Sequence, residues 1–265
     1  MKIFISADIE GVNSINSWPE TNVSSPHYKP FQYQMNMEVL HACKGALAAG
    51  AKEVFVKDAH DTAKNLDITL LPDEITLHRG WEGSPGSMMA GLDKSFSAVV
   101  FIGYHSAAGS SGNSLSHTMN TRTNYIKING ELASEFTING MYASYLGVPI
   151  AFLSGDEALT KTVQKVNSNI NVVATKIGVH NATVSKHPNV TNKAIEETVK
   201  KALSENLNLK FYPLPEKFNI EINFKYHGDA YSSSFYPGCK LKDDFTVTYS
   251  TTDYYQALVM FKFVL

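Results

Sequence analysis

The sequence predicts an α/β fold: a three-layer α/β/α sandwich with a mostly parallel sheet and a smaller C-terminal α+β portion. Three observations carry this. Short apolar runs alternate with helically spaced apolar residues through the first two thirds of the chain, the pattern of a sheet covered by helices on both faces. One run, Ala98 to Ile102, is continuously apolar, as expected of a parallel strand buried on both sides. After about Asn208 the texture shifts to prolines followed by strictly alternating strands, which suits a half-exposed antiparallel sheet.

Taken in order, Lys2 to Ala7 reads as the first strand and leads into a polar loop over about residues 13–30. Met35, Val39, Ala42, Cys43, Ala46 and Leu47 then recur at helical spacing, with Gly50 placed to end the helix. Val54-Phe55-Val56 is the second strand and Ala98 to Ile102 the third. Glu135 to Leu146 reads as a helix, Pro149 to Leu153 as a strand, and Glu157 to Val166 as a helix. Ile195, Val199, Ala202 and Leu203 mark a further amphipathic helix. Beyond Pro213 and Pro215, Phe218 to Phe224 and Phe245 to Tyr249 alternate as strands. Thr252 is the expected cap of a last helix carrying Tyr254, Leu258, Phe261 and Leu265. The chain divides on this reading into residues 1–210, an α/β domain, and residues 211–265, the α+β portion.

Composition narrows the function. Among 265 residues, 23 Lys and Arg balance 25 Asp and Glu, and no basic run exceeds two residues, which argues against a nucleic-acid partner. Charged residues make up only 18%, against roughly 25% in average proteins, so the surface suits a homo-oligomer. The apolar start is too short for a signal peptide or a membrane span. Two cysteines, Cys43 and Cys239, make no disulfide framework and fit a reducing compartment. The expectation is a cytoplasmic protein with no membrane partner.

Chemistry concentrates at strand ends. The first strand runs into Asp8-Ile9-Glu10, the second into Asp58-Ala59-His60, and the third into Gly103-Tyr104-His105. Residues two apart in an extended segment point the same way. The C-terminal ends of parallel strands line the ligand crevice of such sheets. Three strands delivering acids and imidazoles to one edge make a metal-site arrangement, although each residue alone has an ordinary reading as a cap or loop residue. Mixed carboxylate and imidazole donors suit Zn²⁺, or less selectively Mn²⁺ or Fe²⁺. Four or more such donors can hold two ions. His117, after a small-residue loop (Ala107 to Gly112) read as mobile, is a candidate for acid–base work or oxyanion stabilisation, with a packed loop histidine as its plain alternative. No G-x-S-x-G elbow, Walker loop, G-x-G-x-x-G or H-E-x-x-H is present.

These residues together resemble a known family. Ser6-Ala7-Asp8-Ile9-Glu10-Gly11-Val12, Lys57-Asp58-Ala59-His60, Gly103-Tyr104-His105 and Leu115-Ser116-His117-Thr118-Met119 are similar, in order and spacing, to the zinc D-aminopeptidases of bacterial dipeptide-transport operons (DppA type). Asn129-Gly130, Ser134-Glu135 and Pro237-Gly238 extend the match along nearly the whole chain. The resemblance implies two Zn²⁺ per subunit held by Asp8, Glu10, His60, His105 and Glu135, with Asp8 bridging. It implies His117 as the catalytic histidine and a homodecamer of stacked pentamers that encloses the active sites. Glu135 comes from the resemblance alone, since an acid opening a helix ordinarily serves the helix dipole. Asp58 is expected to orient His60 or a neighbouring ligand from behind. The expected activity is metal-dependent removal of an N-terminal residue, a D-amino acid, from short peptides or amides. The alternatives are another dinuclear amidohydrolase or esterase, and a non-catalytic peptide-binding accessory protein.

Overall fold

The computed structural model describes residues 1–265. Seven strands form its larger sheet: β1 (Lys2–Ala7), β2 (Glu53–Asp58), β3 (Ile75–His78), β4 (Ala98–Tyr104), β7 (Ile150–Asp156), β8 (Asn171–Val179) and β9 (Ala182–Ser185). Their order is β3-β2-β1-β4-β7-β8-β9. All neighbours pair in parallel except β9, which closes one edge antiparallel to β8. The apolar runs place β1, β4 and β7 centrally, where burial on both faces favours them.

Alternate residues of each strand meet different helices. Ile3 and Ile5 of β1, with Val54, Val56, Val100 and Ile102, face α1 (Tyr28–Ala48) and α4 (Pro188–Ser204). Phe4, Val99 and Phe101 face the opposite layer, formed by α2 (Glu135–Tyr145) and α3 (Glu157–Val166). The predicted stripe of α1 is buried at Met35, Val39, Ala42, Cys43 and Ala46. That helix ends as its sequence predicts: Gly50 takes φ +89°, and Ala51 N donates back to Ala46 O at 3.0 Å.

A second, five-stranded antiparallel sheet runs in the order β11-β12-β10-β5-β6. It combines β5 (Thr123–Ile128) and β6 (Glu131–Leu132) with β10 (Phe218–Phe224), β11 (Lys240–Asp243) and β12 (Thr246–Thr251). Two of its strands therefore precede the 210/211 division and three follow it. Helices α5 (His227–Ser233) and α6 (Tyr254–Val264) pack against its apolar face. Helix α2 joins the two layers: Phe136 and Ala143 enter the large-sheet core, whereas Ile138 and Met141 enter the small-sheet core. Buried on both sides, α2 fixes its N-terminus, and Glu135 with it, between the sheets.

Two local expectations are corrected. Helix α6 is capped by Asp253, not Thr252: the helix starts at Tyr254, and the Asp253 carboxylate accepts from Tyr255 N at 3.0 Å. The loop from Ala107 to Gly112 is not a free flap. Ala107 and Ala108 are buried, and Ala108 N donates to Thr118 Oγ1 at 3.1 Å.

Candidate metal centre

Adjacent strands β2, β1 and β4 end side by side, and their next residues converge. Asp8 and Glu10 follow β1, His60 follows β2 and His105 follows β4. The approach is backbone to backbone: Asp8 N donates to Ile102 O and Gly11 N to Gly103 O, both at 2.8 Å. Glu135 joins from the first turn of α2, whose Ser134 cap leaves the glutamate side chain free to turn inward.

All five side chains are buried. His60 Nδ1 lies 3.3 Å from Asp8 Oδ1 and 3.1 Å from Glu10 Oε2. His105 Nε2 lies 3.5 Å from Asp8 Oδ2 and 3.4 Å from Glu135 Oε2. His117 Nε2 lies 3.6 Å from Glu135 Oε1, and its ring stacks on that of His105 with centroids 4.4 Å apart. One ligand atom each from Asp8, Glu10 and His105 lie within 4.8 Å of one another, and so do those from His105, His117 and Glu135.

The far nitrogen of each histidine is committed to a backbone carbonyl. His60 Nε2 meets Thr21 O at 2.9 Å, His105 Nδ1 meets Ser106 O at 3.0 Å, and His117 Nδ1 meets Leu115 O at 2.9 Å. A carbonyl only accepts, so each of those nitrogens carries the hydrogen. Each neutral ring then aims a lone pair into the acidic cluster.

Lone pairs facing carboxylates repel unless a proton or a cation lies between them. Burial would depress His60 and His105, yet Glu10 holds His60 well above the usual imidazole range and Glu135 lifts His105 to about 10. Burial likewise opposes ionisation of the acids. For Asp8 it wins, reinforced by Glu10 and Glu135, and the carboxyl is raised well above its ordinary range. For Glu10, His60 outweighs burial and lowers the group; His105 does the same for Glu135, down to about 2.

The donor set fits a divalent cation. Asp8 Oδ2, Glu10 Oε2 and His105 Nε2 are buried without any hydrogen-bond partner. The 3.1 Å approach of His60 to Glu10 lacks hydrogen-bond alignment. Unsatisfied buried acceptors of this kind are costly, and a soft-to-borderline ion bound by oxygen and imidazole nitrogen satisfies them together.

Asp58 is fully buried but makes no hydrogen bond to the ring of His60. Its carboxylate accepts from Asn65 N at 2.5 Å, Leu66 N at 2.8 Å and Asn65 Nδ2 at 2.9 Å. Asn65 Nδ2 also donates to His60 O at 2.8 Å. Asp58 thus reaches His60 only through the loop it folds, because both ring nitrogens are already engaged.

Above the cluster lies a cavity of about 540 Å³, a size suited to a small molecule. Trp18 and Trp81 stand at its walls, and Trp18 packs edge-on against His117 with centroids 5.3 Å apart. Trp81 is held by Lys57, whose Nζ lies 4.4 Å from the ring centroid, and by donation from Nε1 to Asp61 O at 2.7 Å. The tryptophans carry no motif signal in the sequence, and their place at the cavity follows from how their loops fold.

A carboxylate–imidazole cluster at the carboxyl edge of a parallel sheet, under a small-molecule cavity, is the arrangement of a metal-dependent hydrolase. The family model Peptidase M55, described as D-aminopeptidase, matches residues 1–263, and the chain belongs to that family. The D-aminopeptidase of Bacillus subtilis (strain 168) is 28% identical over 258 residues, 97% of this chain and 92% of that protein. Among solved structures, the Zn-dependent D-aminopeptidase DppA from Bacillus subtilis, described as a self-compartmentalizing protease, superposes with a TM-score of 0.93. It is 26% identical, over 100% of this chain and 96% of that one.

Proposed function

We propose that this chain is a zinc-dependent D-aminopeptidase that removes the N-terminal residue from short peptides. The observation that carries the reading is the set of unpartnered buried donors, Asp8 Oδ2, Glu10 Oε2 and His105 Nε2, in a chain of this family. Two zinc ions would be held by Asp8, Glu10, His60, His105 and Glu135, among which Asp8 turns one oxygen to His60 and the other to His105. Zinc bound there supplies charge to polarise the scissile carbonyl and lowers the pKa of water.

The chain's own residues do the rest. His117 keeps its hydrogen on Nδ1 through Leu115 O, so Nε2 is the basic atom facing Glu135 and the cavity. It takes a proton at Nε2 from the attacking water and gives it to the leaving amine as the C–N bond breaks. The edge-on packing of Trp18 restrains that ring. Asp58 supports the loop that presents His60. We further propose a cytoplasmic location, supported by two free buried cysteines, and a homodecamer, supported by the self-compartmentalizing neighbour and by the aromatic surface considered below.

The test is incubation of zinc-loaded protein with matched D-alanyl and L-alanyl dipeptides and amides, with and without a chelator. Chelator-sensitive release of D-alanine, and not L-alanine, is expected. Release of the L-residue would remove the stereochemical part of the reading, and no release from any substrate would remove the activity.

A further inference from the structure

The wall of the cavity over the metal centre carries charges of both signs. Besides the acids of the cluster, Asp61 and Glu82 are exposed in its wall. Lys262 is the one lysine or arginine among its lining residues. A short peptide brings an ammonium at one end and a carboxylate at the other. Asp61 and Glu82 complement the first, and Lys262 is the one cationic side chain that complements the second.

Lys262 stands in the last turn of α6, where a cation ordinarily serves the helix dipole. Two observations point further. The Lys262 side chain is exposed at the cavity and makes no ion pair, so its charge is open to a ligand. The turn that carries it is also fastened to the loop that carries His117: Asn120 Nδ2 donates to Leu265 O at 3.0 Å, and the Arg122 guanidinium donates to the same oxygen. Buried Phe261 and Val264 anchor the other side of the turn. The base of Lys262 is thereby fixed relative to the reacting histidine, while its charged end is uncommitted.

Resting on the aminopeptidase reading, we propose that Lys262 is a specificity-determining residue that pairs with the free C-terminal carboxylate of the substrate. The enzyme then favours short peptides ending in a carboxylate over the same peptides ending in an amide. The pair forms at the exposed cavity wall as a charge-assisted hydrogen bond, stronger than one between neutral groups.

The experiment compares kcat/KM for D-alanyl-D-alanine and for its C-terminal amide, using zinc-loaded wild type, Lys262→Met and Lys262→Arg. Zinc content and thermal midpoint are recorded for each. Wild type is expected to prefer the carboxylate. In Lys262→Met the carboxylate-over-amide ratio should fall about five- to tenfold, the scale of one partly screened charged hydrogen bond. The fall should reside in KM and be largely restored in Lys262→Arg. An unchanged ratio, or equal loss on both peptides with a lowered thermal midpoint, would overturn the proposal and leave Lys262 as a dipole residue. Failure of wild type to release D-alanine from either peptide would overturn the activity reading, and this inference with it.

Discussion

His117 is the residue on which the chemistry turns, and its surroundings allow two roles. Its Nε2 is 3.6 Å from Glu135 Oε1, close enough to share an ion with His105 and Glu135. It is also the most exposed of the three clustered histidines, at 14% for the side chain, while His105 is at 0%. Glu135 already has two other obligations: Oε2 faces His105, and Oε1 accepts from Met119 N at 2.7 Å. That contact places the His117 loop by backbone and leaves the ring to the substrate side. His117→Ala is therefore expected to lower kcat by at least about 10²-fold, the scale of a lost general acid–base, while the wild-type zinc content is retained. Metal analysis of the purified variant decides between the roles, because a zinc content below that of the wild type would make His117 a ligand. Glu135→Gln provides the contrast: zinc should be lost there together with activity.

At the scale of elements, the site depends on how closely two strand ends approach. A Cβ on Gly11 would lie 1.8 Å from Tyr104 O, and Gly103 adopts φ +69° with its own would-be Cβ 2.3 Å from Asp8 O. Both neighbours are backbone and cannot move aside without separating β1 from β4. Gly11→Ala should thus cost about 3 kcal/mol or more and lower zinc occupancy, since Asp8, Glu10 and His105 move apart together. Denaturant unfolding with parallel zinc determination checks this; a variant of unchanged stability and metal content would show that the loops adjust independently. The same geometry explains what the sequence made legible. Apolar runs identify the central strands, and acids two apart just after them reveal the edge, so Asp8, Glu10, His60 and His105 could be grouped from the residues alone. Glu135 could not be, because its neighbourhood arises from α2 being wedged between two cores, a tertiary fact with no local pattern. The strands β3, β5, β6, β8, β9 and β11 also went unread. Most are short or lie at sheet edges, with mixed exposure that leaves no clear period. The position of Lys262 beside the cavity likewise depends on how α6 docks.

Across the whole molecule, the surface around α5 and the end of α6 is the feature a monomer would not keep. Phe263 is 74% exposed, Phe235 70%, Tyr226 61% and Tyr231 60%. They belong to three aromatic groups on and beside α5: Tyr231 meets Phe235 edge-on, Tyr226 meets His227 and His227 meets Phe245, and Phe263 stacks on Tyr236. A concentration of exposed aromatics on one small region suits a protein interface, and low overall charge lessens repulsion between copies. The face lies on the small-sheet side, which also carries Lys262, so subunits joined there would bring neighbouring cavities under one roof. An enclosed set of cavities admits short peptides and keeps folded chains out, which suits an enzyme reading both ends of its substrate. Sedimentation velocity of the wild type is expected to show an assembly about ten times the 29.2 kDa chain. Phe235→Glu combined with Phe263→Glu should shift it to smaller species with zinc content unchanged, because charge would then be buried in the contact. A monomeric wild type would exclude the decamer. An intact assembly in the double variant would move the contact to another face and leave these aromatics without a structural role.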